Sequence, residues 1–228
     1  MSEPPDEFRQ MYLEQLEYAR EHNRGFEVFE EYRNNVGNHP AWFGDYECAF
    51  AAKWLNRVQP SSILDIGSYR IFIMGLCSAF RVTTLDIRHR EGMTDNETVI
   101  TSDAKDLNIP DSSFDAITSL CALEHFGLGR YGDEFDLDAD RKAIAEIKRV
   151  LKPNGHLIFT TTITSAPPSL AFNAHRIYNL DLIHQLCDGL IPIEELAYSH
   201  EVNTFCSLES VTIQPQDWDV YMGCWQKC

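Results

Sequence analysis

Positive charge is what this chain is short of. Against 35 Asp and Glu stand 19 Lys and Arg, which leaves a formal charge of -16 at pH 7 over 228 residues. Such a surface repels a phosphate backbone unless its bases are strongly segregated, and no dense Lys/Arg run occurs, so nucleic acid is not an expected partner. Long apolar runs are missing as well: none approaches the ~18 residues that span a bilayer, which predicts no membrane partner. The opening Met-Ser-Glu-Pro-Pro-Asp-Glu has neither a basic nor an apolar signal region, and a cytoplasmic location is the expectation. An even cysteine framework is absent too. Cys48, Cys77, Cys121, Cys187, Cys206, Cys224 and Cys228 are scattered and odd in number, which favours reduced thiols, and Cys224 and Cys228 lie too far apart for a C-x-x-C knuckle. Repeats and low-complexity tracts do not occur. With 44% hydrophobic and 24% charged residues, what remains is an ordinary globular domain with an N-terminal extension.

Residues 6–31 carry Phe8, Met11, Tyr12, Leu16 and Ala19 at helical spacing, which predicts one or two amphipathic helices. Asn34-Asn-Val-Gly-Asn-His-Pro40 is turn chemistry, and Asp45 then caps a helix with Tyr46, Ala49, Phe50 and Trp54 on its apolar face. Beyond it, strand-like segments at 63–66, 81–85, 98–101, 116–120 and 156–162 alternate with helix-like segments at 71–80 and 140–151. Alternation of this kind implies parallel strands. A loop through Ala166-Pro-Pro168, a helix at 180–186 and strands at 194–201 and 220–225 complete an α/β pattern with an antiparallel edge.

Two of these strands end in chemistry. Ser62-Ile-Leu-Asp-Ile-Gly-Ser68 is an apolar strand closed by a carboxylate and a glycine, and Val82-Thr-Thr-Leu-Asp86 ends in a second carboxylate about twenty residues later. The glycine lets backbone approach a ligand at the carboxyl edge of a sheet, and the second carboxylate is placed to accept hydrogen bonds from a ribose diol. The G-x-G-x-x-G turn of nicotinamide enzymes is absent, which ranks that class last.

The chain from about Trp42 onward resembles the class I S-adenosylmethionine-dependent methyltransferases. Leu64-Asp-Ile-Gly67 is similar to that family's first motif, Leu85-Asp86 to its ribose-binding strand end, and Ser102-Asp103-Ala104 to its adenine-contacting segment. Ile109-Pro-Asp-Ser-Ser-Phe-Asp115 leads into a segment similar to its fourth strand, and Leu123-Glu-His125 stands where many members carry the same three residues. Ile147-Lys-Arg-Val-Leu-Lys-Pro-Asn-Gly155 resembles the helix and turn before its fifth strand. The resemblance implies a Rossmann-like, mostly parallel seven-stranded sheet with helices on both faces and an antiparallel edge strand. It divides the chain into an N-terminal helical extension or lid, 1–41, and a methyltransferase domain, 42–228. It also implies S-adenosylmethionine as cofactor, held by Asp65, Gly67, Ser68, Asp86, Ile87, Asp103, Ala104 and Ser119. One departure stands out: where the family carries further glycines, Gly67 is followed by Ser68, Tyr69, Arg70 and Ile71, so the Tyr69 side chain must turn away from the cofactor or reshape its methionine pocket. Glu124-His-Phe-Gly-Leu-Gly-Arg-Tyr-Gly-Asp133 and Phe172-Asn-Ala-His-Arg-Ile-Tyr178 are similar to the signatures of a narrower, largely uncharacterised family, in which Tyr69 reads as variation.

Each candidate has a structural alternative. Asp65 can simply cap its own turn, and Asp103 can be a surface acid. His125 is the candidate general base, because an alcohol acceptor must lose a proton and imidazole titrates near neutrality; a hydrogen-bonded structural histidine is the rival. Glu124 either orients His125, binds an acceptor hydroxyl, or is an ordinary first-turn acid. The glycine-rich loop 127–132 brings Arg130 and Tyr131, and the segment after the fifth strand brings His175, Arg176 and Tyr178, as candidate acceptor contacts or as loop braces. Trp42 and Phe43 belong to a lid or staple a helix. Five acids within 133–140 read as a solvated face, and no metal is assigned. These observations point to methyl transfer onto a small polar acceptor, an oxygen of a sugar or related metabolite. A non-catalytic binding or regulatory protein on the same fold is the second reading, and cofactor binding separates the two.

Overall fold

A computed structural model describes residues 6–33 and 41–228, which fall into two compact units, Met1–Pro40 and Ala41–Cys228. The 34–40 turn lies outside the described residues. In the first unit one helix forms, α1 (Asp6–Glu21), where the sequence allowed two. Residues 22–33 are irregular, but Tyr32 packs edge-on to Tyr12 with ring centroids 5.5 Å apart, and Glu30 pairs with Arg20 at 2.6 Å.

In the second unit α2 (Phe43–Val58) leads into β1 (Ile63–Ile66), α3 (Arg70–Leu76), β2 (Val82–Asp86), β3 (Glu97–Thr101), β4 (Phe114–Leu120), α4 (Ala139–Val150) and β5 (Leu151–Ile163). The hairpin β6 (Ser169–Ala171) and β7 (His175–Ile177) precedes α5 (Leu180–Leu186), β8 (Leu190–Ser199), β9 (Thr204–Cys206) and β10 (Asp219–Lys227). The main sheet runs β3-β2-β1-β4-β5-β10-β8-β9. It has eight strands, one more than expected, because the short β9 pairs antiparallel along β8. The first five strands are parallel, and β10 is antiparallel between β5 and β8, so the reversed strand lies inside the sheet as well as at its edge. The hairpin occupies the expected loop after β5.

Alternation along the strands divides the core between the two faces of the sheet. Leu64, Ile117, Leu157 and Phe159 pack with α4 and α5, while Ile63, Ala116, Ile158 and Met222 pack with α2 and α3. On α2 the buried stripe is Glu47, Phe50, Ala51, Trp54 and Leu55, which turns Ala49 out to solvent. Asp45 caps α2 from its first turn, its carboxylate accepting from the Trp42 N–H at 3.0 Å. Pro153-Asn-Gly155 does not separate helix from strand. Pairing starts at Leu151 opposite Phe114, and the turn is an irregularity inside β5, with Asn154 at φ 62°. The carboxyl ends of β1 to β5 consequently open on one edge, where parallel α/β sheets place their ligands.

Candidate active site

At that edge β1 ends in a tight turn. Gly67 has φ 76°, and a Cβ there would lie 2.8 Å from the Ala122 Cβ, so only glycine fits between the strand ends. Asp65 lies beneath this turn, off the cavity wall: its carboxylate accepts from the Ser68 N–H at 3.1 Å and the Thr118 hydroxyl at 2.6 Å, and burial pushes it up to about 6. Ser119 is likewise structural, donating to the Ile66 carbonyl at 3.0 Å, and the Ser68 hydroxyl accepts from the Leu120 N–H at 3.0 Å.

Above the turn two adjoining clefts, which share Gly67, Arg88, Cys121, His125 and Tyr131, make up the cavity. Its narrower end is walled by Leu85, Asp86, Ile87, Asp103, Ala104 and Phe126. Asp86 is its buried carboxylate. Burial works to raise it, but hydrogen bonds from Arg88 and the charge of Arg90 outweigh that and hold it below the ordinary range. Asp103 accepts from the Lys105 N–H at 2.9 Å at the mouth.

The wider end is bounded by Tyr69, Arg90, Glu124, Arg130, His175 and Trp218. Here the His125 Nδ1 lies 2.6 Å from the Ala174 carbonyl. A carbonyl only accepts, so Nδ1 carries the proton and Nε2 keeps a lone pair. Arg130 donates to the same carbonyl at 3.3 Å, which explains its closeness to the ring. Burial, with neighbouring cations, lowers His125 to about 4. Glu124 does not orient it: the Oε1–Nε2 separation is 3.9 Å, and Glu124 instead accepts from the Thr161 hydroxyl at 3.0 Å. Burial raises that carboxyl to about 7.

Arg130, Tyr131 and His175 thus reach the cavity, but Arg176 and Tyr178 do not. The Arg176 guanidinium is buried among main-chain carbonyls, donating to Phe126 at 2.6 Å and Leu137 at 3.0 Å, and it fixes the loop after β4. Tyr178 donates to Asp140 at 2.9 Å in the core. These two brace the loop because alternation along β7 and its continuation turns them inward.

Tyr69, which the sequence required to turn away from the cofactor or reshape its methionine pocket, points toward α2 and donates to Glu47 at 2.9 Å. Sequence reasoning passed over the residues around it. Glu47 is fully buried, accepts from the Cys121 thiol at 2.7 Å and from the Thr160 hydroxyl, and is raised by burial despite those donors. A lone acid in the apolar stripe of α2 was the available signal. Cys121 itself has φ 43°, a left-handed conformation at the end of β4 that costs a non-glycine residue energy. Arg88 and Arg90 were legible as two bases directly after Asp86.

Residues 64–159, which contain β1 to β4 and most of β5 with both carboxylate-bearing turns, match the methyltransferase-domain family. The match spans less than half of the chain; it marks the chain as an enzyme, a transferase whose methyl donor is S-adenosylmethionine. No curated protein matches the chain in sequence. Among solved structures the fold is similar to the 1,6-didemethyltoxoflavin-N1-methyltransferase of Burkholderia thailandensis with bound 1,6-didemethyltoxoflavin and S-adenosylhomocysteine, at 15% identity and TM-score 0.59, covering 100% of this chain and 92% of that one. It is also similar to the N-methyltransferase NodS from Bradyrhizobium japonicum with S-adenosylhomocysteine, at 17% identity and TM-score 0.57 over 80% and 86% of the two chains. The [4+2]-cyclase SpnF shares it at 17% identity and TM-score 0.61 over 96% and 94%. At these identities the likeness is one of fold.

The narrower end of the cavity holds the Asp86 carboxylate, whose oxygens accept from Arg88 and pair with Arg90, beside an apolar wall of Ile87, Ala104 and Phe126, and Tyr69 is turned toward Glu47.

Proposed function

We propose that the protein transfers a methyl group to an oxygen of a small polar acceptor, a sugar or related metabolite, with His125 as general base. The observation that carries this reading is the His125 tautomer: Nδ1 is committed to the Ala174 carbonyl at 2.6 Å, and the lone pair on Nε2 is left for an acceptor proton. With its ordinary titration pushed down to about 4, the ring is neutral at physiological pH with Nε2 unprotonated, and as a weakened base it needs a neighbour to hold the proton it takes. Glu124, 3.9 Å from Nε2, is the neighbour that stabilises the imidazolium as it forms, in the molecules whose carboxyl, held at about 7, is already ionised.

S-adenosylmethionine supplies an electrophilic methyl on a sulfonium, a centre that reacts by in-line displacement. The protein's task is then positioning. In this reading Asp86 accepts the ribose hydroxyls and Ile87 and Ala104 flank the base. Gly67 and Ser68 present backbone to the amino-acid end, and Asp103 lies at the mouth beside the base. Asp65 and Ser119 act from below by fixing the strand ends. Arg130, Tyr131 and His175 face the acceptor. The tract from Glu124 to Asp133 supports membership of the narrower family with the E-H-x-G-L-G-R-Y-G-D signature.

Calorimetric titration with S-adenosylmethionine and S-adenosylhomocysteine tests the reading without a known acceptor. Micromolar binding of both is expected, followed by methyl transfer in an acceptor screen. Folded protein that binds neither would overturn it.

A further inference from the structure

Charges where the two ends of the cavity meet do not balance. Asp86 is one carboxylate facing two guanidiniums. Arg88 grips it through its backbone N–H at 2.9 Å, Nε at 3.0 Å and Nη2 at 3.0 Å, and Arg90 pairs with the same group. The Arg90 Nη1 is buried with no hydrogen-bond partner among the described residues. Arg130 meets no carboxylate among the described residues; its acceptor is the Ala174 carbonyl. Arg88 and Arg130 both lie against Tyr131, their Cζ atoms 4.3 and 5.2 Å from its ring centroid. In a chain of net charge -16, this concentration of cations beside His125 is a local reversal of sign.

The Arg88 fork also covers the oxygens of Asp86 that a ribose diol needs. Its side chain is 51% exposed, against 15% for Arg90, so it can leave without unpacking the core. We propose that the acceptor carries an oxyanion, a carboxylate or phosphate, and that cofactor binding assembles its seat by freeing Arg88 from Asp86 to act with Arg130 across the Tyr131 ring. The proposal rests on the reading of Asp86 as the ribose carboxylate. Planar guanidinium forks match carboxylate and phosphate oxygens two at a time, and two of them flanking one ring leave an anion held at a fixed distance from His125. Acceptors such as sugar acids and sugar phosphates meet this requirement, and binding is ordered, cofactor first.

The test is calorimetry on the full chain with glucuronate and glucose 6-phosphate as carboxylate and phosphate probes and glucose as the uncharged control. Each is titrated into free protein, protein saturated with S-adenosylhomocysteine, and protein saturated with 5′-methylthioadenosine, which has the same nucleoside but no carboxylate. At least one anion is expected to bind about tenfold or more tightly to both loaded forms than to free protein, with no such gain for glucose. Which anion gains tells carboxylate from phosphate. R130Q and R88Q should each remove the gain, with S-adenosylhomocysteine affinity unchanged in R130Q and equal or higher in R88Q. Anion affinity that ignores the cofactor overturns the proposal. So does a gain with 5′-methylthioadenosine that disappears with S-adenosylhomocysteine, because the arginines would then hold the cofactor's own carboxylate. Failure of S-adenosylhomocysteine itself to bind would instead sink the underlying assignment of the nucleoside site.

Discussion

The two ends of the cavity are built in different ways. The narrower end, where the proposed reading places the nucleoside, is local: Gly67, Asp86, Ile87, Asp103 and Ala104 sit at the tips of adjacent parallel strands, and register alone lines them up. The wider end is assembled from Tyr69, Arg90, His125, Arg130, His175 and Trp218, which come from the connections after β1, β2 and β4, from β7 and from the segment before β10, and depend on long-range packing. The first end sets one buried carboxylate, Asp86, against an apolar wall, and the second gathers arginines and aromatic rings. In the proposed reading strand-tip geometry holds the donor, while the loops carry whatever distinguishes the acceptor.

If that division is right, the largest effect on turnover comes from the wider end. His125→Asn keeps a side chain able to donate to the Ala174 carbonyl but removes the basic lone pair, and methyl transfer should fall about 10²- to 10⁴-fold with S-adenosylhomocysteine affinity unchanged. Steady-state rates beside a calorimetric titration check both halves. Undiminished turnover would remove His125 from the chemistry.

Next comes a stability effect at the same end. Glu124 is raised from 4.5 to about 7 by burial, so the folded chain holds that proton more tightly than the unfolded chain. Its contribution is full below the ordinary value and is lost as pH rises to about 7, a change of about 3 kcal/mol at ~1.4 kcal/mol per unit. His125, lowered from 6.5 to about 4, contributes with the opposite slope, fully present above its ordinary value and lost as pH falls. Because E124Q retains His125, the stability difference between wild type and E124Q should shrink by about 3 kcal/mol from about pH 4 to about pH 8. Urea melts at stepped pH measure it, and parallel curves would show a carboxyl that titrates as if exposed.

Much of this fold was legible, and the contrast between the two ends explains which parts were not. Strands ending in Asp65-Ile-Gly67 and in Asp86 could be placed because period-two burial and turn residues are local signals, and α5 was found at its observed limits, Leu180–Leu186. The short β9 was missed because three residues, Thr204–Cys206, carry too little pattern, and the β6–β7 hairpin was hidden behind Pro167 and Pro168. His125, Arg130, Tyr131 and His175 were recognisable as chemistry-bearing residues beside the sheet edge. That Arg176 and Tyr178 turn inward, and that Asp65 and Ser119 act beneath the wall, depends on side-chain direction, which sequence spacing does not convey. Glu47 was hidden by distance, since its partners Tyr69, Cys121 and Thr160 are scattered along the chain.

At the nucleoside end the expected effect is smaller. Asp86→Ala removes an ionised acceptor from the ribose site and should weaken S-adenosylhomocysteine binding by ~1 to 3 kcal/mol. Arg88 and Arg90 lose their shared partner in the same variant. D86N, which keeps an acceptor oxygen but no charge, should fall between the two. Equal affinity across all three proteins would place the ribose elsewhere and dissolve the distinction between a donor end and an acceptor end.

The smallest effect tests the boundary between the ends. Tyr69 stands where a glycine would let the donor lie against backbone, yet its hydroxyl donates to buried Glu47 at 2.9 Å and its ring meets Trp42 edge-on at 5.6 Å. The phenol is thus a bond within the protein and makes no demand on the cofactor. Tyr69→Phe deletes that bond and leaves the ring, so stability should fall by about 1 kcal/mol while S-adenosylhomocysteine affinity holds. Glu47 keeps its thiol and hydroxyl donors, which limits the loss. Thermal melts and calorimetry on one preparation separate the outcomes. If affinity changes and stability does not, the Tyr69 hydroxyl belongs to the donor, and the glycine it replaces has been exchanged for a binding group.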